Sequence, residues 1–360
     1  PADPPATDTE RWLATLWHDI LGTLPTSKTD NFFLLGANSL HATKLVGKIR
    51  ARLEADVPFT LPFRGPTLVA MASALDETIS VLPDILLKLR DGDGPALFLF
   101  HPAGGHVRAY GPLVDALSNA GPVYGLQSPQ LNAPEQDVGG VAGLAKLHLQ
   151  HIRQAQPHGP YRLMGWSFGG WLAAEVAALL EAEGAEVEWL SIVDARADVR
   201  RGALNLPDLP LSMPFIACLE SRWQQNLLGR GRDRCHMLEQ ALAEKPHEQQ
   251  MAYALDWFRA EVDGGAERPR DLQLLQLQLF TACHRMMRDH ALKPIRAPIH
   301  IWWAEDTLAD KPYRPGAEPG EWSAYGASQI RILEGDHQSI IRNPVLAADL
   351  DELLSRGRGA

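Results

Sequence analysis

Residues 161–170 read Tyr161-Arg162-Leu163-Met164-Gly165-Trp166-Ser167-Phe168-Gly169-Gly170. The first four form a short apolar run of strand type, and the Ala- and Leu-rich stretch 170–183 has helical character. A Gly-x-Ser-x-Gly pentapeptide between a strand and a helix is a tight elbow that lifts a serine hydroxyl clear of the backbone. A serine hydroxyl is a poor nucleophile, so it must stand where a base can reach it. Glycines at 165 and 169 remove side chains that would collide across the turn. The Phe168 N–H, at the helix start, faces the place where negative charge would develop. Ser167 is therefore the candidate nucleophile. The plainer alternative, a serine capping a helix in a Gly-rich loop, does not account for strand, elbow and helix in this order.

Outward from the elbow, apolar runs at 96–100, 123–126, 162–165, 187–193, 299–303 and 330–333 alternate with helical stretches. That alternation predicts a parallel sheet covered by helices on both faces, with 85–89 as a further edge strand. Between about 200 and 292 no strand pattern is evident. This helical insertion is expected to lie over the carboxyl ends of the strands, where sites in such sheets form, as a lid.

Folds of this kind order their reactive residues as nucleophile, acid, histidine. Of thirteen histidines, His337 follows the last strand run, in Gly335-Asp336-His337. The others lie before the elbow, in helical stretches, or within a strand, as His300 does. His337 is the candidate base. Two acids lie between: Asp194 after the run 187–193, and Asp306, with Glu305 beside it, after the run 299–303. Either would orient an imidazole and stabilise its charged form, and chain order leaves both open. The loop His101-Pro102-Ala103-Gly104-Gly105 offers the Ala103 N–H as a second oxyanion donor, typically worth about 3–4 kcal/mol of transition-state stabilisation. His101 precedes the loop and is expected to prop it.

Residues before 80 read differently. One helix starts at the Thr7-Asp8-Thr9 cluster and runs to Leu21, presenting Trp12, Leu13, Leu16, Trp17 and Ile20 on one face. A second begins at Ser39 and presents Leu40, Leu45, Val46, Ile49 and Leu53 inward. A third runs from Pro66 to about Ile79. Together they make a small bundle. Residues 80–95 read as a linker.

The stretch Asp30-Asn31-Phe32-Phe33-Leu34-Leu35-Gly36-Ala37-Asn38-Ser39-Leu40 resembles the phosphopantetheine attachment motif of peptidyl carrier proteins, with Ala37-Asn38 departing mildly from the commonest pattern. Residues 96 to about 345 resemble the type I thioesterase domain that terminates non-ribosomal peptide synthetases. The matching motifs are 101–105, Gln156 to Gly159 with Pro160-Tyr161, 165–170, Ile192-Val193-Asp194 and Gly335-Asp336-His337. The resemblance implies an α/β-hydrolase fold with a helical lid at about 200–292 behind a small all-α carrier bundle. The implied boundaries are a carrier at 1–80, a linker with a possible edge strand at 81–95 and a thioesterase at 96–360. It implies Asp194 rather than Asp306 as the acid, and a 4′-phosphopantetheine arm on Ser39. A phosphodiester suits a helix N-terminus, where free N–H groups and the dipole favour negative charge. Chain release from a thioester, by hydrolysis or cyclisation, is the implied activity. The implied partners are upstream condensation and adenylation domains, a phosphopantetheinyl transferase and the thioester-bound substrate. Two other readings are a carrier and binding module whose hydrolase half only gates or edits, and a general esterase.

Composition bounds these readings. An apolar share of 45% against 22% charged residues excludes disorder as the main state. The net charge of −10 argues against nucleic acid as a partner, because phosphate neutralisation needs clustered Lys and Arg. No apolar run reaches the roughly 20 residues of a membrane span. The start Pro1-Ala2-Asp3-Pro4-Pro5 lacks the features of a signal peptide and is the start expected of a piece excised from a longer chain. Cys218, Cys235 and Cys283 are widely spaced, form no CxxC and read as reduced thiols with no metal site, so the chain is expected in the cytoplasm. Lys44, Lys48 and Arg50 read as a solvated face or a docking face. Trp12, Trp17, Trp302 and Trp303 read as core. Trp166, Trp171, Trp223 and Trp257 are candidates to touch substrate.

Overall fold

The computed structural model describes residues 3–53, 57, 60–80, 85–118, 121–131, 136–197, 237–238, 240–242, 244–261, 270–309 and 318–356. Cys218, Cys235, Trp223 and the first part of the expected lid lie outside them. The chain divides into two compact units, Pro1–Leu82 with Glu244–Leu275, and Pro83–Ala243 with Gln276–Ala360.

In the first unit, α1 spans Asp8–Leu21. Thr7 and Glu10 form a capping box at its start, the Thr7 side chain accepting from the Glu10 N–H. Gly22, at φ 73°, closes its C-terminus. Helix α2 spans Ser39–Leu53, α3 Leu61–Arg64 and α4 Leu68–Ser80. Trp12, Leu13, Leu16, Trp17, Phe32, Leu45, Val46, Ile49, Leu68, Met71 and Leu75 form the core. The Trp17 and Phe32 ring centroids lie 4.9 Å apart. Leu40 is not part of that core and is 74% exposed. Ala42, Leu45, Val46 and Ile49 share the buried face of α2 at i, i+3, i+4 and i+7, and Leu40 lies off that stripe. The one-turn α3, with proline in its first turn, has too few residues for a periodic pattern. Helix α4 starts two residues after Pro66, because Asn31 and Thr67 first form an isolated bridge. Lys48 pairs with Asp19 at 3.4 Å, and the Arg50 Nε–H donates to the Val57 carbonyl at 2.7 Å.

The second unit is built on a seven-stranded sheet of order β1-β3-β2-β4-β5-β6-β7. The strands are β1 Leu86–Arg90, β2 Leu97–Phe100, β3 Val123–Leu126, β4 Tyr161–Trp166, β5 Val187–Val193, β6 Ile299–Ala304 and β7 Ser328–Leu333. All neighbours pair in parallel except β1, which runs antiparallel to β3 at the edge. Helices α6 (Gly140–Ala155) and α7 (Phe168–Ala182) pack with Phe98, Phe100, Leu163 and Ile192 on one face. On the other, Leu113 and Val114 of α5 (Gly111–Ala116) and Leu350 and Leu354 of α11 (Pro344–Arg356) pack with Leu99, Met164 and Val193. Burial on both faces explains why β2 reads as an unbroken apolar run, while in β4 the buried Arg162 pairs with Glu188 at 2.7 Å. Of the stretch expected to be a lid, α8 (His247–Glu261) and α9 (Arg270–Arg288) are described. A short α10 (Glu305–Ala309) follows β6. Among the described residues, no helix is long and apolar enough to cross a membrane.

Phe32→Ala is expected to cost about 3–5 kcal/mol through the cavity left beside Trp17. Urea unfolding followed by tryptophan fluorescence should show an earlier transition for the first unit.

Candidate active site

The elbow is dictated by what is missing from it. A Cβ on Gly165 would lie 2.0 Å from the Gly169 carbonyl oxygen, and one on Gly169 would lie 2.3 Å from that of Phe100. The backbone can therefore fold back on itself and press α7 against the end of β2. Ser167 stands at the apex with φ 58° and ψ −129°, a conformation that costs a non-glycine residue about 1–3 kcal/mol. Its N–H donates to the Val193 carbonyl at 2.9 Å, and its carbonyl accepts from the Gly170 N–H at 3.0 Å.

Three of the residues singled out in the sequence meet here. Ser167 Oγ lies 3.0 Å from His337 Nε2, and His337 Nδ1 lies 2.6 Å from Asp194 Oδ2. Asp194 is buried, with φ 45°, and its two oxygens also accept from the Ala304 N–H at 3.0 Å and the Thr307 hydroxyl at 2.7 Å. His337 is held from outside the pair as well: the Trp166 indole N–H donates to its carbonyl at 3.0 Å. Asp306 does not reach the imidazole; its N–H donates to the Gly335 carbonyl at 3.1 Å and ties α10 to the His337 loop. The end of β6 thus supplies hydrogen-bond donors for the acid that ends β5.

Ala103 and Phe168 are both buried, on the loop after β2 and at the first position of α7. Among the described residues, neither N–H donates to a protein acceptor. The turn holding Ala103 is closed by the Gly105 N–H donating to the Pro102 carbonyl and the Ser128 N–H to the Gly105 carbonyl, each at 2.9 Å. Cys283, on the last turns of α9, is buried with its thiol 3.7 Å from the Ala103 carbonyl oxygen. His101 is fully buried, and its ring sits edge-on to that of His148 at 5.5 Å. Its Nδ1 lies 2.8 Å from the Pro102 carbonyl oxygen, which fits a prop for the loop and excludes a solvent-linked base. Burial pulls its pKa down from 6.5 to about 4, and that of His148 well below its usual value.

Ser39 lies in the other unit, exposed at the first position of α2. The helix is capped by Asn38, whose side-chain oxygen accepts from the His41 N–H at 3.0 Å, while the Asn38 N–H donates to His41 Nδ1 at 3.3 Å. The Ser39 hydroxyl has no hydrogen-bond partner among the described residues. An unengaged, exposed hydroxyl beside free helix N–H groups fits a phosphodiester attachment point.

Sequence reasoning missed Thr307 and the second link made by Trp166. Thr307 carries no local signal, since its partner is 113 residues away. Trp166 and Trp171 are buried, and the Trp171 indole N–H donates to the Arg196 carbonyl at 2.7 Å. Trp257, on α8, is half-buried.

Two family models match. One described as a thioesterase domain covers residues 95–349, and one described as a phosphopantetheine attachment site covers 11–75. Chondramide synthase cmdD of Chondromyces crocatus is 30% identical over 97% of this chain and 9% of its own length. Malpibaldin synthetase of Mortierella alpina is 36% identical over 54% of this chain and 4% of its own. Enterobactin synthase component F of Escherichia coli (strain K12) is 33% identical over 54% of this chain and 15% of its own. The chain thus spans a small part of the curated relatives it matches. Among solved structures, the four-domain nonribosomal peptide synthetase holo-AB3403 matches all of this chain and 27% of its own, with a TM-score of 0.59 and 24% identity. The type II thioesterase BorB from the borrelidin biosynthetic cluster matches 75% of this chain and 98% of its own, at 0.50 and 21%. These two likenesses show the fold.

Thr307→Val is expected to slow labelling of Ser167 by a fluorophosphonate about tenfold, since a hydrogen bond to a charged acceptor is worth about 1.5–3 kcal/mol. The buried neutral His101 makes stability depend on pH. The unfolded chain takes up its proton near pH 6.5 and the folded chain only near 4. Stability is therefore fully present above 6.5 and falls as pH drops towards 4, by roughly 3 kcal/mol for one such site. Melting temperatures across that range should fall in the wild type and fall less in His101→Phe.

Proposed function

Because the chain belongs to the thioesterase family and carries a phosphopantetheine attachment domain ahead of that domain, we propose that it is the terminal carrier–thioesterase portion of a non-ribosomal peptide synthetase. In this reading residues 1–80 are the carrier, 81–95 the linker and 96–360 an α/β-hydrolase domain whose stretch at about 200–292 is its lid. Ser39 is the attachment residue. The arm, when bound, supplies a thiol that carries the acyl or peptidyl chain as a thioester.

The chemistry assigned to this chain's own residues is acyl transfer. Ser167 Oγ attacks the thioester carbonyl as His337 Nε2 takes its proton. Asp194, accepting from His337 Nδ1–H, fixes the tautomer and stabilises the imidazolium. The N–H groups of Ala103 and Phe168 donate to the tetrahedral oxyanion. The C–S bond then breaks, His337 returns the proton to the departing sulfur, and an ester on Ser167 remains. Water, or an amine or hydroxyl of the bound chain, attacks that ester with His337 again as base. Hydrolysis or cyclisation follows from which nucleophile the site admits. The observation that carries this reading is the contiguous Ser167–His337–Asp194 chain at 3.0 and 2.6 Å. Upstream condensation and adenylation domains and a phosphopantetheinyl transferase are the partners it requires.

Intact-protein mass spectrometry after incubation with a phosphopantetheinyl transferase and a labelled acyl-CoA tests the relay. Ser39→Ala should gain no arm. Ser167→Ala should gain the acyl mass and keep it, while the wild type loses it at least 1000-fold faster, the order of loss seen when a catalytic serine is removed. Equal release from Ser167→Ala and wild type would overturn the mechanism, and absence of any arm on wild type would overturn the carrier assignment.

A further inference from the structure

Strands β2 and β4 are parallel neighbours with Phe100 opposite Gly165. At their carboxyl ends the backbone directions are fixed from both outer sides. The His101 N–H donates outward to Leu126 on β3, and the Ser167 N–H donates outward to Val193 on β5. Neighbouring residues of a strand point their peptide groups to opposite sides, so the Phe100 carbonyl and the Trp166 N–H face each other across β2 and β4. They are the donor and acceptor that continued pairing would join.

A side chain bonds both of them. The Tyr110 hydroxyl accepts from the Trp166 N–H at 2.8 Å and donates to the Phe100 carbonyl at 2.8 Å. Tyr110 is fully buried, at the end of the 3-10 turn Arg108–Tyr110, with its ring edge-on to that of Trp166 at 6.5 Å. One hydroxyl therefore clips the two strand ends together at their last paired residues. Burial drives its pKa far up, so it stays a neutral hydroxyl that both donates and accepts. Beyond this clip on β4 comes Ser167, then Phe168. Beyond it on β2 come His101, Pro102 and Ala103. The clip thus sits one residue before the candidate nucleophile and three before the candidate oxyanion donor.

We propose that Tyr110 is a positioning residue that sets the spacing between the two oxyanion donors, Ala103 and Phe168. The inference rests on the acyl-transfer reading above. Without the hydroxyl, two buried backbone groups lose a shared partner and the strand ends are held less firmly. An oxyanion site depends on donors held within a few tenths of an ångström, so the transition state suffers while substrate binding does not.

The test is Tyr110→Phe in the full chain, assayed with a soluble acyl thioester at a temperature where circular dichroism shows wild type and variant both folded. The expected result is a fall in kcat of about tenfold with KM unchanged, the range a displaced donor costs. Affinity for an alkyl boronic acid, which forms a tetrahedral adduct on Ser167, should fall in step with kcat. A purely structural role would lower the melting temperature and leave both at wild-type values, and that result overturns the proposal. If Tyr110→Phe does not fold, 4-aminophenylalanine placed at position 110 keeps a donor to Phe100 and weakens the acceptor for Trp166. A parallel loss of kcat and boronate affinity then supports the proposal, and wild-type values of both overturn it. Ser167→Ala run alongside separates the failures. If it keeps turnover, the acyl-transfer reading falls; if it is inactive while the position-110 variants match wild type, only the role of Tyr110 falls.

Discussion

A methyl group at position 169 would lie 2.3 Å from the Phe100 carbonyl oxygen, and one at 165 would lie 2.0 Å from the Gly169 carbonyl oxygen. No side chain survives at such distances, and this close approach of backbone to backbone sets the geometry of the second unit. It lets α7 start directly against the end of β2 and leaves Ser167 at φ 58° in the tight turn between β4 and α7. The strain at that turn is supported by what surrounds it: β4 is buried along its whole length and is paired with β2 and β5 on either side. A residue held in a sparsely populated conformation persists where its neighbours over-determine it.

From this apex, hydrogen bonds run laterally along the carboxyl edge of the sheet. Ser167 meets His337 from beyond β7, His337 meets Asp194 from the end of β5, and Asp194 meets Ala304 and Thr307 from the end of β6. Each strand end supplies one part, and the central strands β2, β4 and β5 are packed on both faces. The Trp166 indole closes the chain by holding the His337 backbone from the elbow side. Pre-organisation of this kind is what electrostatic catalysis needs, since groups already in place do not have to reorganise as charge develops.

The first unit solves a different problem with the opposite means. Ser39, at the first position of α2, is exposed, as the proposed attachment of an arm requires. Asn38 takes the capping duty that a serine at a helix start would otherwise perform, and the Ser39 hydroxyl has no partner among the described residues. The change from the commonest motif, Ala37-Asn38, is therefore compatible with the attachment role.

Several features were legible in the residues alone because their causes are local. The elbow follows from two glycines around a serine between a strand and a helix, and the apolar runs at 123–126 and 187–193 coincide with β3 and β5. The capping box of α1 is likewise written in four residues. Leu40 was misplaced because one apolar residue near a helix start fits two helical phases equally well, and only packing against α1 and α3 selects one. The choice between Asp194 and Asp306 was open from chain order, since both end strands at the same edge. Sheet order decides it, by putting β5 beside β4 and turning the end of β6 into a donor for Asp194. Thr307, Tyr110 and the indole of Trp166 act across 56 to 171 residues of chain. Sequence by itself determined which residue types stand at each strand end, because backbone sterics and periodicity are short-range. The tertiary structure alone decided which of them touch, because hydrogen bonds form between neighbours in space.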